Sequence, residues 1–557
     1  MLSRRDFLKT TSAALAVAPW LQPTADWLTL PASAELPLKP NAAPPSAEVI
    51  AMSRMAFGPR PDYASEISNA GGITGYIDQQ LNPTAIVDTE CDNRLAALNF
   101  QTLNLSLTQL WNGYYRSTSY PTYYIPFWEV RNAAFIRAVY SKRQLLEVLV
   151  DFWHNHLNVQ ASQSPIRSVF AQYDRDVIRA HALGNFRVML EAMARSTAML
   201  YYLDNVYSED SGPNENFARE LFELHTLSAE FYHPEYTIDN VPAGFYTNNV
   251  GYIDSDVYES ARAFTGWSVA NGDSQSGGIN DGSFKYKETW HDRFQKLVLG
   301  HQIPNDQAPL KDGHDVLDYV ATHPATATNI AKKLCRRLIG DNPPQAVVDA
   351  AKATFLANPA ASDQLKQVVR AILISTEFQT TWGQKVKRPF EHVVSALRAV
   401  SVPNSIIQPV NTFASGYSDA IYGYFNPIGQ PLFEWAPPTG YPDQAGYWLS
   451  SNGLLKRWNF FNYACELNSG GTWSRITGIK IDLRAEMPAD RTTANQIVDF
   501  WLDRILHRPI EPADRSALVT FMAQGTNPDT PLSTNTINSR LRGLAALIFN
   551  SPYFLEK

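Results

Sequence analysis

The chain has 557 residues, a formal net charge of −7 and a pI near 5.9, which excludes the basic footprint typical of nucleic-acid-binding proteins. Its three cysteines, Cys91, Cys335 and Cys465, form neither a disulfide framework nor a zinc-type pair spacing. Aromatic residues make up 12% of the chain. They suit stacking on sugars but also build cores.

The first residues predict an export signal. Arg4 and Arg5 precede an apolar pair and Lys9, an apolar run covers residues 13–21, and Ala32-Ser33-Ala34 offers a cleavage site. This order is typical of a twin-arginine signal peptide over residues 1–34, although it also fits an amphipathic first helix. We expect a periplasmic or secreted protein without a transmembrane anchor, because no later stretch approaches the about 20 apolar residues that a membrane helix needs.

Apolar residues at helical spacing, and the residues that begin and end helices, predict a mostly α fold. We expect a large multi-helical domain with long loops and, at the C-terminus, a duplicated three-helix unit. Apolar residues recur at helical spacing over residues 131–153 and 168–203, and Asn214 is expected to cap the next helix. One hairpin is predicted over residues 282–299. The expected organisation is a linker at 35–46, a main helical domain at 47–402, a loop region rich in Pro, Gly and aromatics at 403–450, and a C-terminal helical unit at 451–557.

An internal repeat accompanies these helices. Residues 327–379 and 495–554 share the order of helix, basic turn, two helices and a final Ser-x-x-Phe. A duplicated three-helix unit is the expected cause, and it concerns architecture and not chemistry.

Several motifs together resemble the bacterial family known as domain of unknown function 1800. They are 54–59 (RMAFGP), 151–156 (DFWHNH), 214–227 (NENFARELFELHTL), 261–267 (ARAFTGW), His291-Asp292, 323–327 (HPATA), 333–336 (KLCR), 387–391 (KRPFE), 429–433 (GQPLF) and 440–442 (GYP). Ser228 departs from the glycine expected after Thr-Leu. The resemblance implies a mostly helical exported protein of unassigned activity. Because members look like neighbours of sulfatase-like exported proteins, it suggests envelope or polymer metabolism and a co-exported sulfatase-like partner.

The first candidate site is a metal centre. Asp151 and His154 share a helix face, and His156 joins them if the helix ends near Asn155. Together with His225 they could bind a divalent transition metal, the cofactor of this hypothesis. In the alternative, Asp151 only orients His154 by a hydrogen bond.

The second candidate is the helix that follows Asn214. Glu220 and Glu223 lie on one face, as candidate catalytic carboxylates, and Arg219 is four residues from Glu223. Because a buried carboxylate needs a partner, Arg262 is expected to pair with this face. Arg219, Arg262 and Trp267 are the candidate substrate contacts. Metal ligation by the two glutamates together with Asp151 and His154 is one interpretation of this helix, and a buried Glu–Arg network is the structural alternative. The absence of Glu-x-x-His argues against a di-iron site.

The third candidate is a loop pair, His291 and Asp292, which could act as acid and base or as ligands, or could only stabilise a turn. His323 is expected to cap the helix that Pro324 begins. The basic residues around Cys335 predict a solvated face: Lys332, Lys333, Arg336 and Arg337. Two aromatic stretches, at 114–128 and 422–448, could line a saccharide groove or pack as core lids.

Three functional hypotheses follow. The first is a metal-dependent enzyme of envelope or extracellular polymer metabolism. The second is a metal-free polysaccharide hydrolase or lyase that uses these acid and base groups with aromatic subsites. The third is a non-catalytic helical scaffold or partner of an exported enzyme.

Overall fold

The computed structural model describes residues 42–400, 406–407, 420–464, 479–480 and 483–557. The predicted signal peptide, most of the linker and part of the 403–450 region lie outside these residues. Within the described part of the chain, none of the helices combines the length and apolarity that crossing a bilayer requires.

The predicted fold class is confirmed, because the chain is mostly helical with little strand. In the first half the α-helices are Ala47–Arg54, Tyr63–Asn69, Ile73–Gln80, Thr89–Ala97, Leu107–Leu110, Ile125–Tyr140, Gln144–His156, Ile166–Gln172, Phe186–Ala194, Thr197–Tyr202, Glu215–Glu220 and Asp254–Ala263. In the second half they are Lys311–Thr322, Pro324–Leu338, Gln345–Ala357, Gln364–Leu373, Thr376–Thr380, Pro389–Val400, Ala420–Phe425, Ala445–Trp448, Ser451–Ala464, Leu483–Glu486, Ala494–Leu506, Pro512–Ala523, Thr534–Phe549 and Pro552–Leu555.

The long helical pattern at 131–153 is two helices and not one. Ser141 has an extended backbone, with φ −60° and ψ 141°, and ends the first helix. Asp88 stabilises this break, since its carboxylate accepts hydrogen bonds from Ser141 Oγ at 2.6 Å and from the Lys142 backbone at 2.9 Å. The periodicity continues across the break, which is why the sequence pattern did not reveal it.

The predicted single hairpin at 282–299 is wrong, because this region contains two hairpins. Strand Trp267–Asn271 pairs antiparallel with Asn280–Tyr286, and Lys296–Val298 pairs with His301–Ile303. Gly282 lies inside a strand, where a Cβ would meet the Trp111 ring at 2.5 Å. A glycine at this position therefore permits close packing against the ring and does not mark a turn. A further short antiparallel pair joins Ile406–Ile407 to Ile479–Lys480.

The two halves of the predicted repeat have the same order of elements. Each forms three helices and then a short one, from Pro324–Leu338 to Thr376–Thr380 and from Ala494–Leu506 to Pro552–Leu555. The second copy ends with an antiparallel bridge between Glu556 and Val386. This bridge brings the last residues of the chain beside the segment that precedes helix Pro389–Val400.

Candidate functional site

The four predicted metal ligands take other partners. Asp151 forms ion pairs with Arg337, at 3.2 Å, and with Arg388. His154 Nε2 lies 2.9 Å from Asp174, whose carboxylate also accepts from Arg179 Nε at 2.9 Å. Among the residues that the structure describes, no group of three or more His, Cys, Asp or Glu side chains could hold a metal ion.

His156 and His225 form a reciprocal pair through their backbones. His156 Nε2–H donates to the carbonyl of His225 at 3.1 Å, and His225 Nδ1–H donates to the carbonyl of His156 at 2.9 Å. Both rings are buried, and burial lowers the pKa of each imidazole, to about 4 for His225. The two histidines are therefore neutral at physiological pH, and their tautomers are fixed by carbonyl oxygens.

The carboxylates of the second candidate lie on a partly exposed surface. Asn214 caps helix Glu215–Glu220 as predicted, with its side chain accepting from the Asn216 backbone at 2.9 Å. Arg219 pairs with Glu223 at 3.5 Å, but also with Glu215 and Asp254. Burial and then the charge of Glu223 raise the pKa of Glu220.

Arg262 does not pair with Glu220 or Glu223, so that expectation is wrong. Its guanidinium binds Glu259 at 2.7 Å and both carboxylate oxygens of Asp292 at 2.7 and 3.0 Å. Asp292 thereby anchors its loop to Arg262. Burial alone would raise the pKa of Asp292, but the hydrogen bonds from Arg262 outweigh it and the pKa is lowered.

The remaining predicted residues also have structural partners. His291 lies 3.3 Å from Asp312 and 3.0 Å from the Thr265 carbonyl. Trp267 is fully buried against Phe264 and Phe284, so a substrate could reach its indole only by displacing the core. His323 Nδ1 accepts from the Ala325 backbone at 3.1 Å, which confirms the predicted cap.

A cleft of about 420 Å³ lies where helix Gln144–His156 ends. Its volume is within the range of small-molecule sites. We call it the basic cleft, and it is lined by Phe152, Asn155, His156, Lys333, Arg336, Arg337, Arg388, Thr439, Gly440, Tyr441, Pro442, Asp443 and Gln444. Four cationic side chains thus face one carboxylate, and Asp443 is itself paired with Lys385 at 2.9 Å.

The rear of the basic cleft is a buried ion network. Arg337 and Arg388 are each 2% exposed and share the Asp151 carboxylate. Glu391 also binds Arg337, and Lys557 Nζ lies 2.6 Å from its carboxylate. Although burial alone would raise the pKa of Glu391, these cations hold it well below the usual value. The rear arginines are therefore held in place by buried ion pairs with Asp151 and Glu391.

The front cations differ, because their contacts are neutral. Lys333 Nζ donates to His156 Nδ1 at 3.2 Å and to the Leu224 carbonyl at 3.0 Å. Arg336 Nε donates to the Asp341 carbonyl at 3.2 Å. Within the described ranges neither side chain has a carboxylate at ion-pair distance. Burial and then the charge of Arg336 lower the pKa of Lys333 to about 8.

An aromatic rim borders the basic cleft. Tyr441, which lines it, lies 4.8 Å from the Trp435 ring, and Trp435 lies 6.0 Å from Tyr447. Tyr447 is 50% exposed. The neighbouring Gly440 has a φ of +68°, and its Cα approaches so closely that a Cβ would lie 2.0 Å from the Asn155 carbonyl. The rim is thus packed directly onto the end of helix Gln144–His156.

A family model, described as "Protein of unknown function (DUF1800)", matches residues 50–556. The match covers nearly all of the chain, so the chain belongs to that family. No curated protein matches it, and neither does any solved structure.

Motifs that carried the family resemblance converge on the basic cleft. Segments 151–156, 333–336, 387–391 and 440–442 are far apart in the chain, yet each contributes to its lining. The sequence does not predict this site, because the basic residues around Cys335 have the pattern of a solvated helix face. That interpretation is wrong for Arg337, which is buried. The available signal was the i, i+3, i+4 spacing of Lys333, Arg336 and Arg337, which places three cations on one helix face.

Proposed function

We propose that this chain is an exported protein whose basic cleft binds the acidic groups of a saccharide polymer. The observation that carries the proposal is the pair of front cations, Lys333 and Arg336, whose polar contacts in the described residues are neutral. A partly buried cation without a counter-charge is costly. An incoming carboxylate supplies that charge.

The chemistry of the two cations favours a carboxylate ligand. Arg336 uses Nε on the Asp341 carbonyl, so its two terminal nitrogens can bind both oxygens of one carboxylate. A sulfate ester would satisfy the same donors. The aromatic rim of Trp435, Tyr441 and Tyr447 supports a saccharide rather than a free inorganic anion, because flat aromatic faces pack against the apolar faces of sugar rings.

Calorimetry with the mature protein tests the binding. Polygalacturonate should release heat on binding, neutral dextran should not, and a sulfated dextran separates sulfate recognition from carboxylate recognition. Arg336→Ala should weaken uronate binding at least about tenfold, which corresponds to about 1.4 kcal/mol. The matched control is Arg293→Ala, an arginine that is 55% exposed, pairs with Glu288 and does not line the cleft. Equal affinity for the acidic and neutral polymers would overturn the proposal.

The metal-dependent hypothesis has a separate test. Elemental analysis of protein purified without chelators measures any bound transition metal. A stoichiometric metal, together with no binding of acidic polymer, would replace the present proposal with the metal-dependent one.

The extracytoplasmic location rests on the arginine pair at the N-terminus. Replacing Arg4 and Arg5 together by lysine should retain the protein in the cytoplasm, as measured by cell fractionation, because the pathway reads the twin arginines. Unchanged export of the double variant would contradict the proposed route.

A further inference from the structure

Resting on the proposed function, we infer that the basic cleft cleaves its acidic polymer by β-elimination, with the amine of Lys333 moving the proton. The argument starts from the hydrogen bonds around Nζ. His156 donates its Nε2 proton to the His225 carbonyl, so its Nδ1 carries a lone pair. That lone pair faces Lys333 Nζ at 3.2 Å.

A neutral lysine amine has two hydrogens and one lone pair. At Lys333 the two hydrogens are used by His156 Nδ1 and by the Leu224 carbonyl. The lone pair is left for a third direction, and Lys333 lines the cleft. Both acceptors thus orient the amine as a base, which makes His156 a positioning residue.

Hydrolysis by paired carboxylates does not fit the same cleft. A glycoside hydrolase needs two carboxyl groups flanking the bond, one as acid and one as base or nucleophile. Among the described residues, the one carboxylate in the lining is Asp443, and Lys385 holds it in an ion pair. Elimination needs instead a cation at the uronate carboxylate and a base for the adjacent carbon, and the cleft offers both.

The step balances without a co-reactant. Lys333 Nζ removes the C5 proton of a 4-linked uronate, while Arg336 stabilises the negative charge that spreads into the carboxylate. The C5 electron pair forms the C4=C5 double bond and the C4–O bond breaks. In a mannuronate or glucuronate the C4 oxygen lies on the same ring face as the C5 hydrogen, so the leaving oxygen takes the proton back from Lys333. The amine is thereby regenerated and no water is consumed.

The pH dependence follows from the neutral amine. The groups around it are His156 and the Leu224 carbonyl on neighbouring elements, Arg336 on its own helix, and Arg337, Arg388 and Asp443 in the same lining. With the pKa of Lys333 at about 8, the rate should rise with pH up to about that value and then level off, because only the deprotonated amine accepts a proton.

The test combines binding and product formation in the full mature chain. With alginate, which contains mannuronate, ultraviolet absorbance of the unsaturated uronate reports elimination, and calorimetry reports binding. Lys333→Met keeps the packing stem but cannot accept a proton, so elimination should fall at least about a hundredfold. Binding should change far less when it is measured above about pH 8, where the wild-type amine is also uncharged. The matched control is Lys332→Met, the adjacent lysine, which pairs with Glu230 on the surface.

The outcomes separate the two proposals. Binding of uronate without any unsaturated product would overturn the elimination and leave the proposed function standing, whereas absence of binding would overturn both. Full elimination by Lys333→Met would exclude Lys333. If that variant does not fold, Lys333→Arg gives the same test, because its guanidinium stays protonated. Amine-labelling rates against pH in the wild-type protein are an independent readout. Lys333 should react at lower pH than Lys332, and identical profiles would contradict the inference.

Discussion

The carboxylate of Asp151 lies 3.2 Å from Arg337 Nη2, 186 residues further along the chain. Arg388 binds the same carboxylate oxygen. Asp151 therefore fixes the rear wall of the basic cleft, a role that differs from the metal ligation expected from its spacing to His154. The histidine three residues away is oriented by a different carboxylate, that of Asp174.

Asp151→Asn should destabilise the protein by about 3–5 kcal/mol, because it leaves two buried arginines with too little negative charge. Chemical denaturation measures the free energy of unfolding. Asp78→Asn is the matched control, since Asp78 pairs with Arg370 at the surface, where both side chains are more than 40% exposed. That change should cost about 0–1 kcal/mol. A similar, small effect of both substitutions would show that the Asp151 network contributes little to stability.

Local signals made much of the fold predictable. The Asn214 and His323 caps and the mostly α composition follow from residue types whose preferences act over a few positions. The break at Ser141 was not predictable, because its stabilising partner Asp88 lies 53 residues away. The two hairpins were not predictable for a related reason. Gly282 packs closely against the ring of Trp111, which is distant in the chain.

The site was less predictable than the fold. Asp151 and His156 are recognisable from the sequence as candidates, but their partners lie on other segments, so their roles do not follow from spacing. Arg388 lies 237 residues from Asp151, and the Gly440 loop packs on Asn155 from still further along the chain. Ion pairs of this range depend on tertiary packing, which hydrophobic periodicity does not encode.

Gly440→Ala should displace the rim loop and weaken binding of acidic polymer. Its Cβ would lie 2.0 Å from the Asn155 carbonyl, and its φ of +68° disfavours any side chain. Gly446→Ala is the control, because no atom of the described residues lies within 4 Å of its added Cβ and it belongs to the short helix Ala445–Trp448. It should leave stability unchanged or slightly raised. Thermal unfolding and calorimetry measure both variants, and equal behaviour would contradict the packing described for Gly440.

Trp435→Ala should weaken binding of uronate oligomers while leaving the fold intact. Its indole is partly exposed beside Tyr441, and loss of one stacking face corresponds to about 0.5–1.5 kcal/mol, or about two- to tenfold in affinity. Trp290→Ala provides a comparison, since this ring contacts Lys287 and is not part of the lining. If the two variants bind uronate oligomers with the same affinity, the aromatic rim does not contribute to binding.

Acid should destabilise the protein through His225. The pKa of its imidazole falls from 6.5 to about 4 on folding, chiefly because of burial. Its Nε2 is buried and has no hydrogen-bond partner among the residues that the structure describes. As the pH is lowered, the unfolded chain binds this proton before the folded protein does. The contribution of His225 to the free energy of unfolding is therefore constant above pH 6.5 and is lost as pH falls from about 6.5 to about 4. The loss amounts to about 3 kcal/mol.

His225→Asn isolates this contribution, because the asparagine amide can still donate to the His156 carbonyl but cannot titrate. Denaturation curves of both proteins at several pH values give their free energies of unfolding. The variant will be less stable at neutral pH, but its disadvantage should shrink by about 3 kcal/mol towards pH 4. Other titrating groups are common to both proteins and largely cancel in the difference. Parallel pH profiles would mean that His225 takes up a proton as easily in the folded protein as in the unfolded chain.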